Sequence, residues 1–137
     1  MSKKFLVAFA TLVMTLCLFA FAQAEVKQFT NFKAEVPAGW TSMEQQGAAV
    51  IMSPDGSAAV TITMVPHGGM SAEDVAKQAS QALGGSAPEK DGDGWGFTYN
   101  VGGIEGYNYV EAQGDNLISI AVVGDNPELE KILESIE

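Results

Sequence analysis

The sequence predicts an α+β domain with a mainly antiparallel sheet of six to seven strands, packed with two helices in the order ββββ-α-βββ-α. Three observations support this prediction. Apolar residues alternate along most of the strand segments, and glycine-containing turns of hairpin length connect them. Apolar residues also recur at three- and four-residue spacing in two further segments, which is typical of amphipathic helices. Short connections place consecutive strands side by side, so the sheet is expected to be antiparallel.

The first residues are typical of a cleavable secretory signal peptide. Lys3 and Lys4 precede an uncharged apolar run over residues 5–21, and the small residues at 22–24 then provide a signal-peptidase site. We therefore expect cleavage before Glu25 and export, most simply to the periplasm, with secretion from the cell as the alternative. A retained membrane anchor is a further alternative, because 17 residues lie at the lower end of the length that spans a bilayer.

Residues 1–24 are thus predicted to be the signal peptide, and residues 25–137 form one exported domain, large enough for a single core. Cys17, the single cysteine, belongs to the leader, so no intramolecular disulfide is expected. Leu16 before it argues against a lipoprotein signal, which needs a small residue there. After cleavage we expect no stable membrane insertion.

Charge narrows the range of partners. Two lysines leave with the leader, so five lysines remain against seventeen acidic residues and the formal charge changes from −10 to −12. Nucleic acid is excluded as an expected partner, because its binding rests on clustered Lys and Arg. Anionic lipid surfaces are disfavoured for the same electrostatic reason. The acidity is otherwise consistent with simple solubility.

Four strands are predicted before the first helix, and the stretch from Glu25 to Thr30 is expected to be linker-like. The predicted strands cover residues 32–36, 40–45, 48–53 and 58–64. Ser53-Pro54-Asp55-Gly56 forms the turn before the fourth strand, because proline presets φ and glycine tolerates a positive φ.

The first helix is expected to begin at Ser71, which forms a capping-box-like pair with Asp74, and to end at Gly84-Gly85. A loop follows over residues 86–94. The three later strands cover residues 95–101, 104–112 and 117–123. The last of them is apolar on both faces, as expected for a strand covered above and below. Asn126 and Pro127 then start the second helix.

Several of these segments together resemble the PsbP-like and DcrB-like superfamily. The resemblance is carried by Phe32-x-Ala34-x-Val36-Pro37-x-Gly39-Trp40, by the Ser53-Pro54-Asp55-Gly56 turn into Val60-Thr61-Ile62, and by the final strand and helix. It covers residues 32–137 and implies an antiparallel sheet sandwiched by helices. It also implies an exported or lumenal protein that acts as a non-enzymatic accessory or binding factor. The shared pattern carries no catalytic residues.

A metal site is the first candidate for specific chemistry. Met64, His67 and Met70 lie at three-residue spacing, and thioether and imidazole ligands suit monovalent copper. This spacing makes a periplasmic copper carrier an alternative function. The competing interpretation is that Met64, in a strand pattern, belongs to the core. No other cofactor is expected.

Catalysis is not expected from the sequence. The chain has no Gly-x-Ser-x-Gly motif, its only histidine is His67 in a glycine-rich segment, and its only cysteine leaves with the leader. A small hydrolase is therefore kept only as an alternative to a non-catalytic function.

The strand over residues 104–112 offers a candidate partner-binding site. Its alternation puts Tyr107 and Tyr109 on one face with Glu105 and Glu111. Tyrosine gives a large amphipathic contact area at low entropic cost, and an acidic rim suits a basic protein or peptide. The alternative is that both rings cover the sheet beneath a helix. The sequence thus favours an exported, non-catalytic binding or accessory protein whose partner it does not identify.

Overall fold

The computed structural model describes residues 24–66 and 68–137. Its elements in chain order are β1 (Glu25–Gln28), β2 (Lys33–Val36), β3 (Thr41–Gln45), β4 (Ala48–Met52), β5 (Ala59–Pro66), α1 (Ala72–Leu83), β6 (Glu89–Asp91), β7 (Gly94–Val101), β8 (Ile104–Gln113), β9 (Asn116–Val123) and α2 (Pro127–Ser135). The predicted leader, apart from Ala24, lies outside the described residues, and so does His67. Neither described helix has the length and apolar character required to span a membrane.

Seven strands form one antiparallel sheet in the order β3-β4-β5-β9-β8-β7-β6, and β1 and β2 form a separate antiparallel pair. The hairpin strands β3 to β5 make one half of the large sheet, and β6 to β8 make the other. β9 joins the halves by pairing with β5 on one side and β8 on the other. The predicted mainly antiparallel α+β fold with two helices is therefore confirmed.

The central position of β9 explains why it is apolar on both faces. Ile118 on one face belongs to a larger core, and Leu117 on the other face belongs to a smaller one. The larger core contains Phe29, Phe32, Ala34, Ala49, Ile51, Ala58, Val60, Ile62, Ile118, Leu129 and Ile132. The smaller core contains Ala76, Phe97, Tyr99, Val110 and Leu117.

Helix α1 packs on β7 and β8 through small residues. Ala76 is fully buried there, and the lack of a larger side chain lets the helix approach the sheet closely. The helix begins as predicted, because the Ser71 side chain accepts a hydrogen bond from the backbone N–H of Asp74 at 3.1 Å. It ends at Gly84, whose φ of 67° is the left-handed conformation that terminates many helices.

Helix α2 packs on the opposite face, against β2 and β5. The Asn126 side chain accepts a hydrogen bond from the Glu128 N–H at 3.0 Å, and Pro127 takes the first turn, as predicted. After the helix, Glu137 exchanges two backbone hydrogen bonds with Lys33 of β2, at 2.9 and 3.0 Å. The end of the chain therefore holds the β1–β2 hairpin over the larger core.

Two strands were not predicted. Residues 25–30, expected to be linker-like, contain β1, and the expected loop over residues 86–94 contains β6. Every residue of both strands is exposed, so neither shows the apolar alternation that identifies a half-buried strand. In addition, the first predicted strand corresponds to β2, which pairs with β1 outside the large sheet.

The two helices leave two halves of the sheet uncovered. On the face that carries α2 and the β1–β2 hairpin, no helix formed by residues 24–66 and 68–137 packs on the half made of β6, β7 and β8. On the face that carries α1, the corresponding open half is formed by β3, β4 and β5. The first of these halves carries the tyrosines singled out in the sequence.

Candidate functional site

The strand register of β8 places the candidate residues on the uncovered half of the sheet. Tyr107 lies opposite Val122 and Tyr109 lies opposite Ile120, and both β9 residues pack against the larger core. The tyrosines therefore share the sheet face of α2, at a distance from the helix. We define the open tyrosine face as Glu89 and Asp91 of β6 together with Glu105, Tyr107, Tyr109 and Glu111 of β8.

Two glycines of β7 make room for the tyrosine rings. A Cβ atom at Gly96 would overlap the ring and hydroxyl of Tyr107, and one at Gly94 would come within 2.6 Å of the Tyr109 ring. Both rings therefore lie across β7, directly over backbone that carries no side chain. This arrangement supports the rings from below and leaves their outer surfaces accessible, with 36% of Tyr107 exposed.

The hydroxyl of Tyr107 reaches the edge strand of the sheet. It donates a hydrogen bond to Oδ2 of Asp91 at 2.5 Å. Partial burial, this hydrogen bond and the negative charge of Asp91 raise the pKa of Tyr107 to about 12. The tyrosine is therefore a neutral donor throughout the physiological pH range.

Tyr109 is held neutral in a similar way. Partial burial is the largest cause of its raised pKa, and the neighbouring carboxylates of Glu111, Asp91 and Asp93 raise the pKa further. Neither hydroxyl is therefore suited to act as a nucleophile or base near neutral pH. The open tyrosine face offers aromatic surface, hydrogen-bond donors and carboxylates, which are groups for binding.

Two shallow depressions lie on either side of Tyr107. The first has a volume of about 490 Å³. Its lining includes Ser86, Glu89, Asp91, Gly96, Thr98 and Tyr107. The second has a volume of about 430 Å³. Its lining includes Thr98, Ile104, Glu105, Tyr107, Val122 and Asp125. Each depression thus has two carboxylates in its wall, and Tyr107 and Thr98 belong to both.

The charge of this region is almost entirely negative. Residues 89–125 contain seven acidic residues and one basic residue, Lys90. Lys90 borders the first depression, but its ammonium lies 5.5 Å from the centre of the Trp95 ring. Trp95 packs against the smaller core, on the face that carries α1. Within the part of the chain that the structure describes, the carboxylates of the open tyrosine face therefore have little positive charge near them.

The structure brings Glu105, Tyr107, Tyr109 and Glu111 together on a surface that neither helix covers. Binding at this surface stays a prediction. The sequence did not point to Glu89 and Asp91, because β6 was not recognised as a strand. The sequence signal for this arrangement is Gly94-x-Gly96 in a strand opposite two alternating tyrosines, because an aromatic side chain can cover a glycine of the neighbouring strand.

The structure places only part of the candidate copper site formed by Met64, His67 and Met70. The side chain of Met64 packs against the larger core, as the competing interpretation of the sequence expected. Met70 is half-buried just before α1, and His67 lies outside the described residues. Within residues 24–66 and 68–137, no group of three or more His, Cys, Asp or Glu side chains is placed to hold a metal ion. A metal role for Met64, His67 and Met70 stays a prediction.

Comparison with known proteins gives no match by sequence: no protein-family model matches the chain, and no curated protein does. Solved structures do match. The solution structure of cyanobacterial PsbP (CyanoP) from Synechocystis sp. PCC 6803 covers 85% of this chain and 92% of its own, with a TM-score of 0.53 and 12% identity. The fold is PsbP-like.

A crystal structure from Bacteroides thetaiotaomicron VPI-5482 also matches 85% of the chain, with a TM-score of 0.51 and 15% identity. The match covers 48% of the Bacteroides chain, so this protein spans about half the length of that one. At these identities the likenesses establish the PsbP-like fold, and the function has to be argued from the surface of this chain.

Proposed function

We propose that this chain is an exported, non-catalytic accessory protein that binds a protein partner through the open tyrosine face. The observation that carries the proposal is an uncovered half-sheet with two supported tyrosine rings and carboxylates around them. The aromatic rings supply apolar contact area, and the surrounding acids supply selection by charge. Such a combination of a central aromatic anchor and a polar rim is typical of protein interfaces.

The support beneath the rings favours recognition. The rings of Tyr109 and Tyr107 lie in the space left by the missing side chains of Gly94 and Gly96. Asp91 accepts a hydrogen bond that fixes the Tyr107 hydroxyl. A side chain that is already ordered loses little conformational entropy when a partner binds. The open tyrosine face is therefore prepared for contact before a partner arrives.

Export is supported by the predicted leader over residues 1–24. The chain has no cysteine after position 17, so the domain depends on its two cores for stability in any redox environment. A non-catalytic role is supported by the chemistry of the described surface, where the tyrosines are neutral and the carboxylates are open to solvent.

Site-specific crosslinking tests the proposal directly. Thr98 is exposed and lies opposite Tyr107 on the same face, so a photo-crosslinking residue there should capture a partner in cell-envelope extracts. The matched control is Gln78, which is exposed on α1 on the other side of the sheet. The proposal predicts a discrete adduct from position 98 that is absent from position 78.

Charge reversal provides the second arm of this test. Glu105→Lys and Glu111→Lys should abolish the adduct formed from position 98, because both reverse the charge beside the tyrosines. Glu134→Lys, on the exposed side of α2, makes the same change in net charge and should leave the adduct intact. Equal adducts from positions 98 and 78, or an adduct insensitive to Glu105→Lys, would argue against docking at this face.

A further inference from the structure

We propose that the partner segment bound at the open tyrosine face is extended and carries two basic side chains, one on each side of Tyr107. This inference rests on the proposed function and specifies the chemistry of the partner. It is carried by the two depressions that flank Tyr107 and by the pairs of carboxylates in their walls.

The depressions are similar in size, and each has two carboxylates in its wall, although Lys90 also borders the first. Glu89 and Asp91 lie in the wall of the first, and Glu105 and Asp125 lie in the wall of the second. All four residues are exposed. A lysine or arginine head entering either depression would meet two carboxylates and could stay partly hydrated, so its desolvation cost would be small.

Tyr107 separates the two depressions and contributes to both. Its ring is held over Gly96 and its hydroxyl is held by Asp91, so it forms a fixed ridge between them. The aliphatic stems of two basic side chains could therefore pack along the two sides of one ring.

The spacing of the basic residues follows from the geometry of an extended chain. Side chains at positions i and i+2, or i and i+4, lie on the same face of a strand, about 7 and 13 Å apart. Neighbouring side chains point to opposite faces. A segment that fills both depressions should therefore carry its basic residues with one or three residues between them.

A second copy of this chain does not fit the same description. No two of its lysines after the predicted leader have one or three residues between them, and the nearest pair, Lys27 and Lys33, has five. Three of them already contact groups of their own chain: Lys27 donates to Ser42 at 2.8 Å, Lys77 lies 3.1 Å from Glu73, and Lys131 lies 3.1 Å from Glu128. The occupant is thus a different protein with a basic segment.

The test uses four synthetic peptides on one uncharged Ser-Gly-Val background. Two peptides carry lysines separated by one or by three residues, the third carries two adjacent lysines, and the fourth carries a single lysine. Binding to the purified protein is followed by backbone amide shifts of β7 and β8 at low salt, where exposed charge interactions are least screened. The spaced peptide whose lysine separation matches that of the two depressions should bind about threefold more tightly than the adjacent-lysine peptide of equal charge.

Paired substitutions then test each depression. Glu89→Gln with Asp91→Asn, and Glu105→Gln with Asp125→Asn, should each weaken binding of that spaced peptide about threefold and reduce it to the level of the single-lysine peptide. The control is Glu130→Gln with Glu134→Gln on α2, which changes the net charge equally and should have no effect. Amide spectra of each variant establish that the fold is retained.

Two outcomes would overturn the inference. If the peptides with spaced and with adjacent lysines bound with equal affinity, the face would attract positive charge without regard to spacing. If only one of the two pairs of substitutions weakened binding, the face would have a single site for a basic side chain. If position 98 still formed its charge-dependent adduct in either case, the proposed function would stand without this inference. Loss of both peptide binding and the adduct would remove the two proposals together.

Discussion

Tyr107 in β8 and Asp91 in β6 are joined by a 2.5 Å hydrogen bond that crosses the intervening strand β7. The bond links the interior of the sheet to an edge strand of only three residues. It can form because Gly96 leaves the space that the Tyr107 side chain occupies. Three strands thus contribute to the position of one ring, and the stability of the open tyrosine face should respond to changes in each of them.

Removal of the Tyr107 hydroxyl should lower stability in a pH-dependent way. The folded-state pKa of about 12 lies above the ordinary value of 10.0, so folding favours the protonated form. This contribution is complete below pH 10 and is lost as the pH rises through 12. Tyr107→Phe should therefore reduce the free energy of unfolding by about 1 kcal/mol at pH 7. The difference from the unmodified protein should narrow above pH 10.

Urea unfolding between pH 7 and 11 measures this difference, and absorbance titration of the tyrosinate gives the pKa directly. Tyr109→Phe is the matched control. Tyr109 lies on the same face and also has a raised pKa, but its hydroxyl does not donate a hydrogen bond to Asp91. The step near pH 12 should disappear from the titration of Tyr107→Phe alone. If the difference in the free energy of unfolding stayed constant up to pH 11, the protonation of the Tyr107 hydroxyl would make no contribution to stability.

Gly96→Ala should displace the Tyr107 ring. The new methyl group would overlap the ring and hydroxyl, and the flexible side chain would have to swing away from Asp91. We expect a loss of about 1–3 kcal/mol in the free energy of unfolding and a fall in the pKa of Tyr107 towards 10. The second effect separates ring displacement from a general weakening of β7.

A double-mutant cycle with Tyr107→Ala checks the cause. If the ring is the obstacle, Gly96→Ala should cost much less in a protein that already lacks it, and the two changes should be strongly non-additive. Additive costs would show that Gly96 is needed for the backbone of β7 and not for the tyrosine.

The sequence predicted the elements whose burial follows a simple period, and it missed those that depend on distant pairing. The alternation of Phe97 and Tyr99 and the cap at Asn126 are local signals, and both elements are found where they were expected. β1 and β6 are exposed along their whole length. They are strands because β2 and β7 present free backbone groups beside them, and local composition does not report such pairing.

The candidate site was predictable only in part for a similar reason. The alternation of Tyr107 and Tyr109 with Gly106 and Asn108 showed that the two rings share a face. Whether a helix covers that face depends on the side to which each crossover runs, and no residue of β8 encodes this. Asp91 lies on β6, a strand that the sequence did not predict, so its contact with Tyr107 could not be anticipated from the spacing of residues.

Asp55 should stabilise the turn between β4 and β5 in a manner that is lost in acid. Its carboxylate accepts hydrogen bonds from the backbone N–H and hydroxyl of Ser57 and from the hydroxyl of Ser53. These bonds lower its pKa from 3.8 to about 2. A lowered folded-state pKa contributes stability above pH 3.8 that disappears as the pH falls through 2.

Asp55→Ala should therefore lower the thermal midpoint at pH 7, and the deficit should shrink steadily between pH 4 and pH 2. Asp55→Asn retains an acceptor oxygen without the charge, so its midpoint at pH 7 should lie between those of the alanine variant and the unmodified protein. Carboxyl NMR shifts should give a midpoint near 2 for this residue. A deficit that does not change with pH would show that the turn does not depend on the ionised carboxylate.

The contact of α2 with the larger core should make a major contribution to stability. Ile132 is fully buried between the helix and the sheet, whereas its neighbour Leu133 is 36% exposed. Ile132→Ala removes three carbon atoms from a packed interior and should cost about 2–5 kcal/mol in the free energy of unfolding. Leu133→Ala removes a similar volume from the helix surface and should cost about 1 kcal/mol or less. Equal costs in urea unfolding would mean that α2 does not pack on the strands through the side that carries Ile132.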